Sequence, residues 1–196
     1  MAVGSGQWLA DTVAEVAPHV PVRDYLTLRD HYKGLSGNAL ARALVDNAAR
    51  ASGAVGAAGG VVASLEFTAP PTLLTTPVQI AAETLAVIAI ELKLVAELHE
   101  VYGRPATGTP AVRTAAYLGA WTRRRGLDGL EPGQGLTGVV TAVSRRELRR
   151  RVLRRAGGNV TTMMPLLAGA VAGASLNSRE TKRLGEAIAN DLGGKL

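Results

Sequence analysis

From Ala39 to Tyr102 apolar residues recur at helical spacing, first along one face and then on nearly every side. Glu66 and Glu83 are the only charges in the forty residues from Ala51 to Ile90. This pattern predicts two apolar helices joined by a Pro- and Thr-rich turn over Thr68 to Pro77. Such a pair must be surrounded, by protein or by lipid. The first helix is expected from about Gly37 behind a Ser36 cap. Leu40, Ala43, Leu44 and Ala48 form its inward stripe, with Arg42, Asp46 and Arg50 outside. Further along, Ser52, Gly56, Gly60 and Ser64 recur every four residues and leave one face almost without side chains. Each Gly weakens an isolated helix by up to about 1 kcal/mol relative to Ala. Only close packing of another backbone against that face offsets the loss.

The second helix is signposted at both ends. Thr76 followed by Gln79 makes a capping box with Pro77 at the first helical position, and Gly103 stops the helix with Pro105 beyond. At 1.5 Å per residue it spans about 40 Å. Its stretch Thr84 to Ile90 is apolar all round, which predicts a helix either central to a bundle or embedded. Before the pair, Gln7 to Ala17 reads as a short amphipathic helix carrying Trp8, Leu9, Val13 and Val16, stopped by Pro18 and Pro21. Val22 to Tyr32 is a second short segment, ending at Lys33-Gly34.

After the pair, Thr109-Pro110 starts a helix through Tyr117, Leu118 and Trp121 to Arg123-Arg124-Arg125, whose charges suit a helix C-terminus. Gly126 to Gly138 reads as a loop. Ser144 and Glu147 form another capping box, opening a basic helix from Arg145 to Arg155. The stretch Ala156 to Ser178 is uncharged and holds Pro165 and the pair Gly169/Gly173. Asn177 and Glu180 fit the cap and third position of a terminal helix with Leu184 and Ile188 inward and Gly193-Gly194 closing it.

At 196 residues the chain is long enough for one domain with a real core. Residues 1–35 supply N-terminal amphipathic helices and a linker, and 36–196 the bundle proper. Hydrophobic residues make up 47% but aromatics only 4%, so the core is built from thin, small-residue helices rather than a broad sandwich. The fold class expected is all-α, a compact helical bundle with Gly/Ala-rich close helix packing at two places, Ser52/Gly56/Gly60/Ser64 and Gly169/Gly173. With no cysteine, disulfides, thiolate metal sites and a cysteine nucleophile are excluded. That composition and the lack of a secretory pattern at Met1 to Gln7 fit a cytoplasmic protein.

Neither Ala156 to Ser178, diluted by Asn159, Thr161, Thr162 and Pro165, nor Thr76 to Tyr102, with Glu83, Glu91 and Lys93, makes a convincing membrane span. Net charge is +6, but residues 1–98 hold six basic and nine acidic residues whereas 99–196 hold sixteen and seven. An anionic partner therefore meets the C-terminal half. Seven of the eleven residues 145–155 are arginine: Arg145, Arg146, Arg149, Arg150, Arg151, Arg154 and Arg155. Leu148, Val152 and Leu153 give that helix a narrow seam for docking. Its arginines suit a solvated face, an anionic membrane surface or, through phosphates alone, nucleic acid.

Catalytic signals are weak. Gly133-Gln134-Gly135-Leu136-Thr137-Gly138 matches a dinucleotide fingerprint as a string, but no strand precedes it and Arg154-Arg155 stands where an acid is required. Glu66, Glu83, Glu91, Glu97 and Glu100 lie along the helices without the Glu-x-x-His spacing of bundle metal sites. They read as partly exposed helix carboxylates. Glu83 is the exception: buried unpaired in its apolar stretch it would have its charged form disfavoured, which a neighbour such as Arg42 or Arg50 could prevent by neutralising it. No cofactor is expected.

Two stretches together resemble the EcsC-like family of bacterial proteins. One is Met164-Pro165-Leu166-Leu167-Ala168-Gly169-Ala170-Val171-Ala172-Gly173-Ala174-Ser175-Leu176-Asn177, followed by Thr181 and Ala187. The other is Gly56-Ala57-Ala58-Gly59-Gly60, a Pro/Thr-rich turn and an apolar helix ending at Tyr102-Gly103. The resemblance implies an α-helical bacterial protein, in a family named for a gene linked to an ABC transporter, and carries over no catalytic residues. The expected function is a non-enzymatic accessory or scaffold protein, peripheral to the inner face of the cell membrane or part of an assembly, its partners an anionic membrane surface, another protein or a second copy of itself. Two alternatives stand beside it: a nucleic-acid-binding protein using the Arg145–Arg155 helix, and an enzyme with a carboxylate-based site.

Overall fold

The computed structural model describes residues 12–13, 15–68, 76–125 and 165–196, with side-chain surroundings described for these apart from 60–68, 76–81 and 165–169. Among them, a 3-10 turn at Ala17–His19 is followed by five α-helices. These are α1 (Tyr25–His31), α2 (Gly37–Thr68), α3 (Thr76–Val101), α4 (Pro110–Arg124) and α5 (Pro165–Asp191). The fold is an all-α bundle, with helices packed on helices.

Local chemistry sets most boundaries. Asp24 caps α1 by accepting from the Thr27 N–H at 2.8 Å, and Thr109 caps α4 with Pro110 at its first position. Gly103, at φ +64°, ends α3, because the Arg104 N–H must turn back to the His99 carbonyl at 2.8 Å. Gly193 closes α5 the same way, with the Gly194 N–H on Ala189 O at 2.8 Å.

The apolar stripe of α2 is wider than periodicity alone predicts: Ala41, Val45 and Ala49 join Leu40, Leu44 and Ala48 in the interior. Such a helix touches neighbours on two sides, α3 and α5. In α3 the enclosed stretch is not Thr84 to Ile90, where Leu85, Ala86, Ala89 and Ile90 are half-buried, but Glu91 to Leu98. Trp121, Leu118 and Tyr117 of α4 cover that stretch from one side, and Leu184, Ile188 and Ala189 of α5 close the core. Leu28 anchors the short α1 in the core, with Tyr25 packed against it.

A terminal helix capped by Asn177 and Glu180 is not what forms. Helix α5 runs unbroken from Pro165 to Asp191, and both residues lie in its middle. Asn177 instead turns its side chain outward from the helix and donates to the Ser52 carbonyl of α2 at 3.2 Å. A capping residue keeps that role only when its own backbone is the best partner available; here a neighbouring helix supplies a better one.

Candidate functional site

Helices α2 and α5 cross antiparallel at a contact with almost no side chains in it. A Cβ placed on Gly56 would lie 2.3 Å from the Gly173 carbonyl oxygen, and one on Gly173 would lie 2.1 Å from the Gly56 carbonyl oxygen. The small-residue runs read from the sequence as two separate contacts are therefore the two halves of one. Ser52 meets Thr181, Gly53 meets Ala174 and Ser178, and Gly56 meets Gly173, so the chain numbers rise along α2 as they fall along α5. Gly60 and Ser64 continue α2 and Gly169 continues α5, but their contacts lie outside the described set, as do the side chains of Thr76 and Gln79 at the start of α3.

One end of this seam opens onto a buried polar cluster. Glu91 of α3 is fully buried (0% exposed). Its Oε2 accepts from Trp121 Nε1 of α4 at 2.8 Å, and its Oε1 accepts from Thr181 Oγ1 of α5 at 2.8 Å. Thr181 has one proton, and a carboxylate can only accept it. The Ser52 hydroxyl, 2.9 Å from the same oxygen, must therefore donate to Thr181. Arg125, at the C-terminal cap of α4, supplies the counter-charge through Nη2 to Glu91 and reaches Glu180 of α5 through Nη1 at 3.3 Å. Glu91 thus ties four helices at one point.

A second buried carboxylate holds the N-terminal arm. Glu97 (2% exposed) receives a two-pronged contact from Arg23, with Nε at 2.8 Å and Nη2 at 2.9 Å, and a third from Lys93 at 2.9 Å. The Lys93 ammonium also donates to the Pro21 carbonyl. Hydrogen bonding to Glu97 pushes the Arg23 guanidinium further toward its charged form, and Tyr32 stacks beside it at 5.7 Å. Arg23→Ala should strip the arm of its main polar tether at a cost of about 1–3 kcal/mol. Hydrogen exchange is expected to accelerate over residues 20–34 while α2 and α5 stay protected, and an unchanged exchange pattern would contradict the tether.

Neither carboxylate is the partly exposed helix group that the sequence suggests. Both answer charges that arrive from distant parts of the chain: Glu97 pairs across 74 residues and Glu91 across 34. Glu83, singled out on sequence grounds, is half-buried, and its carboxylate lies on the α2 backbone where Gly59 leaves room; a Cβ there would sit 2.1 Å from its Oε1. Arg42 and Arg50, which the sequence offers as neighbours that could neutralise it, are exposed. Glu180, expected as a helix cap, is an Arg125 partner. Arg125 itself was legible only as a C-terminal dipole complement.

Where the arm crosses α3 and α4, a cleft of about 260 Å³ remains. Leu92 and Ala96 of α3 are among its apolar residues, and Asp24, Glu100, Arg113 and Thr114 bring polar groups to it. Burial first, and then the charge of Asp24, push the Glu100 carboxyl above its ordinary range, against the pull of Arg113 and of the Tyr25 N–H. The Asp24 carboxyl is held below its range by the hydrogen bonds of its capping role.

Among the described residues no group of three metal-ligating side chains occurs, and no helix is long and apolar enough to cross a membrane. Arg145, Arg146, Arg149, Arg150, Arg151, Arg154 and Arg155, the Ser144/Glu147 box and the Gly133–Gly138 string all lie outside the described residues. Compared with protein-family models, curated proteins and solved structures, the chain matches none.

Proposed function

We propose that this chain is a non-catalytic helical scaffold or accessory protein that attaches to an anionic membrane surface, the inner face of the cell membrane, through the arginine run 145–155. Charge distribution carries the reading. That run holds seven arginines and one glutamate, a net +6 equal to that of the whole chain; the remaining residues hold fifteen basic and fifteen acidic side chains. The two deeply buried carboxylates are already answered by Arg125, Arg23 and Lys93. The excess positive charge of the sequence is concentrated in the arginine run. Each basic residue near an anionic leaflet contributes about 1 kcal/mol.

Flotation with phosphatidylglycerol-containing and purely phosphatidylcholine vesicles tests it. The protein should float with the anionic vesicles only, be released by high salt, and lose flotation when Arg149, Arg150, Arg151, Arg154 and Arg155 are changed to Glu. Equal recovery on both vesicle types, or flotation indifferent to the charge reversal, would end the membrane reading. Salt-dependent DNA binding without vesicle preference would transfer the run to nucleic acid.

A further inference from the structure

Among the described residues, the charge of the cleft beside the N-terminal arm does not balance. Asp24 and Glu100 bring two negative charges and Arg113 one positive, around apolar residues that include Leu92, Ala96 and Val20. Two carboxylates supply only part of the about six to eight oxygens that a calcium ion takes, and Arg113 opposes any cation that makes no apolar contact in return. An anion would face both of them with one arginine in its favour. Glu100 is half-buried, so it meets less water than the exposed Asp24 and Arg113. A positive charge placed between the carboxylates gains from both, and an apolar body attached to it would displace water from Leu92 and Ala96.

We propose that this cleft binds a small organic cation, an amine on a short apolar body, with its ammonium between Asp24 and Glu100 and its body against Leu92 and Ala96. The volume of about 260 Å³ lies just under the range of roughly 300–1,000 Å³ usual for drug-sized ligands. That suits a ligand of about ten heavy atoms. Arg113 is placed to oppose the same charge, so its removal should tighten binding while loss of either carboxylate loosens it. A purely structural role for these three residues predicts no such change of sign.

Titration calorimetry with phenethylamine, 2-phenylethanol and phenylacetate on the full chain tests the proposal. The amine should bind about tenfold tighter than the alcohol, and phenylacetate should show no saturable binding. Glu100→Gln should weaken the amine about tenfold and Asp24→Asn several-fold, while Arg113→Gln strengthens it. Asn at position 24 still caps α1, so that variant keeps the test open if Glu100→Gln disturbs the arm. No amine binding, equal binding of the alcohol, or an affinity unmoved by Asp24→Asn and Arg113→Gln would overturn the site.

Discussion

Replacing Gly173 by Ala should destabilise the protein by about 2 kcal/mol, although Ala is the better helix former. Two effects oppose one another. Helix propensity favours Ala by up to about 1 kcal/mol. The added methyl, however, falls 2.1 Å from the Gly56 carbonyl oxygen and 2.8 Å from its carbon. The obstructing atoms are backbone, so no side chain can swing aside, and α2 and α5 must separate along their length. Overpacking costs of about 1–3 kcal/mol or more outweigh the propensity gain. Gly53→Ala is the internal control: its methyl would meet Ala174 O at 3.3 Å and Ser178 Cβ at 3.4 Å. There the two effects should nearly cancel. Urea unfolding of both variants measures the contrast, and a Gly173→Ala protein as stable as the parent would mean that the helices do not touch there.

Arg125→Met is expected to cost about 3–5 kcal/mol, because it strands the fully buried Glu91 carboxylate without its cation. Trp121 and Thr181 would still donate to it, but neutral donors do not supply the missing charge. Glu91→Gln should cost less, about 1–3 kcal/mol, since an amide oxygen can go on accepting from Trp121 or Thr181. The double variant should be more stable than the sum of the single losses by about 0.5–3 kcal/mol, as contacting partners usually are. Strict additivity in urea unfolding would show that Arg125 and Glu91 do not share one network.

Those two sites were unequally legible. The four-residue step of Ser52 and Gly56 and the Gly169/Gly173 pair announce small faces in the sequence itself. That the faces meet each other does not follow from it, since either could have served a different neighbour. The buried pair was not legible at all. Glu91 looks like any helix carboxylate, and Arg125 like a charge placed to suit a helix end. Only folding brings together residues 34 positions apart. The sequence neighbours of Glu83 are apolar, yet burial is set by neighbours in space. The cleft is likewise invisible in the chain, because Asp24, Glu100 and Arg113 sit on three separate elements.

By itself the sequence determined that this protein is helical, where α3 stops and α4 starts, and where its unbalanced positive charge resides. These depend on local conformational preference and on composition, which act within a few residues or on no geometry at all. The tertiary structure alone decided that α5 continues through Asn177, that the two glycine faces are one contact, and that Glu91 and Glu97 are interior charges. Each of those outcomes depends on a partner from a remote segment, whose hydrogen bonds and bulk outweigh the preferences of the residues nearby.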